Sequence, residues 1–148
     1  MKTLKLIIAG GRDFNRYLLL KKKTSEFISA LLGAGNSYYP GNTLVEIVCG
    51  LAKGADTLGE RFGKHEGYNI TYFPAEWSKY GKSAGYRRNE EMAIYADACI
   101  CFWDGESRGT KHMIDLAKQY NLALKIINYI KPEPICPLKT YVPLRPSQ

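Results

Sequence analysis

The sequence contains no run of about 18 consecutive apolar residues, so no helix that crosses a membrane is expected. Cysteine and histidine are scarce, with 4 and 2 in 148 residues. Cys99 and Cys101 share one face of a strand-like run, but no second cysteine pair completes a zinc site. Neither a metal nor a cofactor is expected. Cys49, Cys99 and Cys101 lie inside apolar runs, where cysteine acts as a small buried hydrophobe. A reducing, cytoplasmic compartment is therefore expected. His65 and His112 stand alone and read as surface or packing residues rather than ligands or bases. Internal repeats are absent. The opening "MKTLKLIIAGGRDF" holds an apolar part of about five residues, too short for a secretion signal. It reads as a first strand.

Proline is nearly absent until residue 131. Five of the 7 prolines fall in "KPEPICPLKTYVPLRPSQ", residues 131–148. Such a segment forms neither a helix nor a central strand. It reads as an extended arm packed on the body or on a partner. Residues 1–130 then form one compact domain, long enough to bury a core without staples.

Within that domain, apolar strand patterns alternate with helical ones. "LKLIIAG" (4–10) is a continuous apolar run ending in glycine, as a buried parallel strand does. Leu20, Phe27, Ile28, Leu31 and Leu32 recur at helix-face spacing across 15–32. Residues 33–42 read as a loop. A strand follows at 44–50, then a helix closed by Gly67. "NITYFPA" is a third strand, stopped by Pro74. "EWSKYGKSAG" (76–85) reads as a polar loop leading into the helix "YRRNEEMAIYA". "DACICFW" is the fourth strand, "TKHMIDLAKQY" the next helix and "LALKIINY" the fifth strand. Five alternations predict right-handed crossovers and a mainly parallel sheet covered on both faces. The expected fold is α/β, a Rossmann-like three-layer αβα sandwich on five strands.

The formal net charge is +7, which suits an anionic partner. "KKK" at 21–23 falls in a helical pattern and reads as a solvated face. In an open parallel sheet, ligands sit beyond the carboxyl ends of the strands. Polar residues and glycines collect there. The first strand leads to Gly10, Gly11, Arg12 and Asp13. The second leads to Gly50, Lys53, Gly54 and Asp56, and the third to Trp77, Gly81, Lys82 and Gly85. The fourth leads to Asp104, Gly105, Ser107, Arg108, Gly109 and Thr110. Glycine lets backbone N–H groups approach a phosphate, and a helix N-terminus adds unpaired donors. Ser107 and Thr110 add hydroxyls, and Arg or Lys supplies counter-charge. The plainer alternative is a set of tight turns.

Arg12 points at the ligand edge or pairs with Asp13 or Asp56. Those aspartates cap helices or accept bonds from ribose hydroxyls, the structural role being favoured. Arg88 and Met92, four apart, share a helix face. Met92 faces the core, so Arg88 turns inward, where it needs a partner. Arg87 points to solvent. Trp77 and Tyr80 either stack on a base or simply pack.

"AGGRDF", "CGLAKGADTLGERF", "FPAEWSKYGKSAGYRRNEEM" and "CFWDGESRGTKHMIDLA" together resemble the YspA-like branch of the SLOG superfamily, over about residues 4–128. The resemblance implies a Rossmann-like fold and a nucleotide or nucleotide-derived ligand, and it leaves the reaction open. It also implies self-association. More distant kin are single-strand-binding DNA-processing proteins and cytokinin-activating phosphoribohydrolases. The latter carry Pro-Gly-Gly-x-Gly-Thr-x-x-Glu and an Arg from an Arg-Lys-x-x-Met motif. Here "RNEEM" supplies Arg88, and Gly109–Thr110 match the Gly-Thr. Met113 occupies the Glu position, and of Pro-Gly-Gly only Gly105 is retained.

N-glycosidic cleavage needs a carboxylate to activate water or to stabilise the developing cation. Methionine does neither. Asp115 faces elsewhere, which leaves Glu76, Asp104 or Glu106 as substitutes. The expected function is binding of a nucleotide-like phosphorylated ligand, as a sensor or sequestering domain. Behind it stand a nucleoside-phosphate hydrolase of altered mechanism, in which Arg88 is catalytic, and a single-strand nucleic-acid binder.

Overall fold

The computed structural model describes residues 2–33 and 42–130. The arm at 131–148, with Cys136, and nearly all of the loop at 33–42 lie outside the described residues. The elements run β1 (Thr3–Gly10), α1 (Tyr17–Leu32), β2 (Leu44–Cys49), α2 (Ala55–Glu66) and β3 (Asn69–Tyr72). There follow α3 (Trp77–Tyr80), a 3-10 turn (Gly81–Ser83), α4 (Ala84–Tyr95), β4 (Ala98–Trp103), α5 (Arg108–Gln119) and β5 (Ala123–Asn128).

The strands form one sheet in the order β3-β2-β1-β4-β5. Every pairing is parallel, which is the expected α/β, Rossmann-like architecture. β1 is central because both its faces are apolar. Leu4, Leu6 and Ile8 face one core with α1 and α2. Ile7 and Ala9 face the other with α4 and α5. Helices covering both faces explain the continuous apolar runs in place of alternation. Cys99 and Cys101 belong to the second core and Cys49 ends β2, all three buried.

α2 ends at Gly67 as expected. Gly67 is left-handed (φ 75°), and its N–H reaches the carbonyls of Gly63 and Lys64. The stretch 76–85 corrects the sequence reading: from Trp77 onward it is helical, not a loop. Its glycines mimic loop punctuation. Gly81 (φ 57°) does turn the chain, but Gly85 sits in the first turn of α4. A Cβ there would stand 3.4 Å from the Trp77 ring, an ordinary contact, so neither space nor φ demands glycine at this helical position. α5 likewise starts at Arg108, two residues earlier than its apolar pattern indicates.

Gly54 (φ 79°, ψ −121°) precedes α2. A Cβ at this position would run into the Gly11 carbonyl and lie 2.7 Å from that of Arg12. Gly67 shares the positive φ but has open space around it. Gly67→Ala is expected to cost about 1 kcal/mol through conformation alone. Gly54→Ala adds a backbone clash and is expected to cost about 3 kcal/mol. Urea unfolding of both variants measures the difference, and equal losses would contradict this account of Gly54.

Candidate functional site

β1 sends its chain toward α1 on one face, and β4 sends its chain toward α5 on the other. The sheet order reverses between them, and a cleft of about 960 Å³ opens beyond their carboxyl ends. Of the residues singled out in the sequence, it brings together Gly10, Gly11, Arg12, Gly50, Lys53, Asp56, Trp77, Lys82, Arg88, Asp104, Ser107, Gly109 and Thr110. Gly54, Gly105 and Arg108 do not line it. Gly54 lies beneath the Gly11–Arg12 backbone. Gly105 makes the exposed turn before α5 (φ 88°), and Arg108 is exposed.

The fourth loop is held by its own aspartate. Asp104 Oδ1 accepts the N–H groups of Glu106 and Ser107, both at 2.8 Å. Those bonds, led by the one from Ser107, lower the Asp104 pKa, so the carboxylate stays charged. Ser107 is the N-cap of α5 without a side-chain capping bond. The first helical hydrogen bond runs from Lys111 N to Ser107 O (3.0 Å). The N–H groups ahead of it have no intrahelical acceptor. Thr110, nearly fully buried, donates its hydroxyl to Ser107 Oγ at 3.2 Å. Both hydroxyls thus sit at the helix start, where an anion is favoured.

Arg88 reaches this cleft from the first turns of α4. It turns inward, as its spacing from the buried Met92 predicts. Its Nη1 donates to the Gly50 carbonyl, and its Nε donates to Asn89 Oδ1 at 3.0 Å. Arg87 is exposed, its guanidinium 4.4 Å from the centre of the Tyr80 ring. Tyr80 therefore packs rather than lining the cleft. Arg12, Lys53 and Lys82 are exposed along the cleft and enter no ion pair among the described residues. The expected alternative of an Arg12 pair with Asp13 or Asp56 is not what the structure adopts.

Neither aspartate is an N-cap; Arg16 and Gly54 hold those positions. Asp13 is exposed at the cleft, while Asp56 is buried. Asp56 Oδ2 accepts the Ala52 N–H at 3.2 Å and so fixes the loop after β2. Burial pushes its carboxyl up from 3.8 to about 6, while the Ala52 N–H and the nearby Arg88 charge oppose that rise. A Cβ on Gly50 would lie 2.8 Å from Asp56 Oδ2 and 2.9 Å from Arg88 Nη1. A side chain at this position would displace the Asp56 carboxylate or the Arg88 guanidinium. Cys49 beside it is no nucleophile at neutral pH: burial first, and then the charge of Asp56, push its thiol up to about 11.

Met113 is buried and forms part of the cleft floor. The carboxylates on the lining are Asp13, Asp56 and Asp104. Glu76 and Glu106 are exposed and off the lining, and Asp115 pairs with Lys111 at 2.6 Å. Among the described residues no three His, Cys, Asp or Glu side chains gather to hold a metal ion, and no helix is long and apolar enough to cross a membrane. Sequence reasoning missed Tyr86, Asn89 and Tyr129, which also line the cleft. Tyr129 follows β5 at the same sheet edge, so the edge rule could have found it.

Fold and cleft define the class: a Rossmann-like α/β domain with a polar cleft at its switch point. No family model matches the chain. It belongs to the same family as the Gene 61 protein of Mycobacterium phage D29. The two are 37% identical over 89 residues, covering 56% of this chain and 70% of that one. Among solved structures it is similar to a predicted subunit of a tRNA methyltransferase from Methanocaldococcus jannaschii. That likeness has a TM-score of 0.38 and 13% identity, over 91% of this chain and 71% of the other.

The buried carboxyl sets a pH dependence. The Asp56 pKa is raised in the fold, so its contribution to folding is greatest below about pH 4. That advantage is lost as pH rises through about 6. The loss amounts to about 3 kcal/mol. Asn at 56 keeps an acceptor for the Ala52 N–H without the charge. Asp56→Asn is therefore expected to be more stable than wild type at pH 7.5 and to match it near pH 4. Urea unfolding at the two values measures this, and a difference independent of pH would refute it.

Proposed function

We propose that this cleft binds a nucleotide or a nucleotide-derived phosphorylated ligand, in the manner of a small SLOG, YspA-like sensor or sequestering domain. One observation carries the reading: the open start of α5, with Ser107, Gly109 and Thr110, faces the same cleft as Arg88, Arg12, Lys53 and Lys82. Donors of the helix start suit a phosphate, and the cations supply counter-charge. The exposed Trp77 and Tyr86 on the lining offer aromatic faces to a base. Convergence of the cations on one concavity favours a small ligand over an extended single strand of nucleic acid.

A hydrolase of altered mechanism is the second reading. Asp56 favours it, since a cleft carboxyl at about 6 exchanges protons near neutrality. The buried Met113 weighs against it, because the position that holds the carboxylate in the phosphoribohydrolase motif is apolar.

Thermal shift against nucleoside mono- and diphosphates, pyrophosphate and dinucleotides tests the first reading. A true ligand at a hundred times its Kd is expected to stabilise the fold by about 2.7 kcal/mol. Arg88→Ala is expected to weaken that ligand by roughly tenfold to a hundredfold, as loss of a charged hydrogen-bond donor does. No shift with any phosphorylated compound would sink the proposal. Chromatographic release of free base that Asp56→Asn abolishes would favour the hydrolase instead.

A further inference from the structure

Arg88 is held from behind by a chain of hydrogen bonds that crosses from α4 to α5. Its Nε donates to Asn89 Oδ1 at 3.0 Å. The Asn89 Nδ2 lies 3.4 Å from His112 Nδ1. His112 packs its ring edge-on against Tyr86, with ring centres 4.6 Å apart. Donors and acceptors along this chain admit one arrangement. Arginine is always charged and can only donate. The Asn89 oxygen must therefore face Arg88, which turns the Asn89 NH₂ group toward His112. An NH₂ group donates, so His112 Nδ1 must accept. A neutral imidazole that accepts at Nδ1 carries its proton on Nε2.

We propose that Asn89 and His112 are positioning residues for Arg88, and that Arg88 dictates the Nε2–H tautomer of His112. The surroundings agree. His112 is half-buried between the two helices, and burial holds its pKa below the ordinary histidine value. Glu90 on α4 and Asp115 on α5 pull the other way without prevailing. The ring is accordingly neutral at pH 7, as an acceptor must be. Asn89 lies on the cleft lining, whereas His112 does not. The histidine acts through the amide, and the amide through the guanidinium. What that aim is worth to a ligand rests on the anion-binding reading of the cleft; the hydrogen-bond chain itself does not.

Two measurements on the intact protein separate these claims. Nitrogen NMR of the imidazole and guanidinium needs no ligand. Wild type is expected to show the His112 proton on Nε2 and a slowly exchanging Arg88 Nε–H. Asn89→Ala is expected to speed that exchange by about tenfold and to release the tautomer bias. An Nδ1–H tautomer in wild type, or an Arg88 Nε–H indifferent to Asn89→Ala, would overturn the proposal. His112→Phe keeps the ring packing on Tyr86 and provides a second variant should Asn89→Ala unfold. The other probe is inorganic pyrophosphate. Asn89→Ala and His112→Phe are each expected to weaken it about threefold to tenfold, and the double variant no more than the stronger single. In an Arg88→Lys background neither is expected to matter. Additive losses, or equal losses in both backgrounds, would show that they do not act through Arg88. If wild type binds no pyrophosphate, the His112 tautomer and the Arg88 Nε–H exchange still decide the chain, and the anion-binding reading is decided by the nucleotide panel.

Discussion

At the carboxyl end of β1 the chain has no room for a side chain. A Cβ on Gly10 would overlap the carbonyl of Phe102 on β4 and stand 2.7 Å from Ala55 Cβ on α2. Three elements converge on that one residue. Gly11 then donates its N–H to the Phe102 carbonyl at 3.2 Å, and its own carbonyl takes the N–H groups of Phe14 and Ala55. This contact ties the first crossover to the fourth strand and brings α2 down on the sheet. The start of α2, the loop after β4 and the rim of the cleft all take their places from it. Glycine here is a packing requirement before it is anything chemical.

The cleft combines two kinds of charge that would be unstable without their surroundings. Its cations stand in solvent, where they cost little. Its least exposed carboxylate, Asp56, is neutralised in part by burial and in part offset by Arg88 and the Ala52 N–H. Asp104 works in the opposite sense: its charge is kept because two backbone N–H groups use it. One acid thus organises the loop after β2, and the other the loop before α5. Both do so while presenting a negative group to a basic cleft, which leaves room for an anion only where Arg88 and the start of α5 outweigh them.

Much of this was legible in the chain. Strand runs ending in glycine gave the parallel sheet, and the four-residue spacing of Arg88 and Met92 gave the inward arginine. Two kinds of information were not. Gly85 reads as a loop residue because glycine usually punctuates loops, yet here it stands in the first turn of α4. Asn89 was invisible because neighbours at i and i+1 on a helix do not normally face each other. The Arg88 side chain bends back to meet it, and no periodicity reports such a bend. The partners of Asp56 were likewise hidden, since its bond to Ala52 belongs to the local shape of a loop rather than to a cap.

The two anchors on Arg88 also decide how it can be approached. A guanidinium offers a side-on edge, Nε with Nη2, and an end-on edge, Nη1 with Nη2. Asn89 consumes the Nε–H and so closes the side-on edge. Gly50 takes one N–H of Nη1 and leaves the other. An oxyanion that meets Arg88 in this geometry therefore finds no Nε–H beside Nη2 and must use the donors that remain on Nη1 and Nη2. The donors left for a ligand are set by the residues behind the arginine rather than by those in front of it.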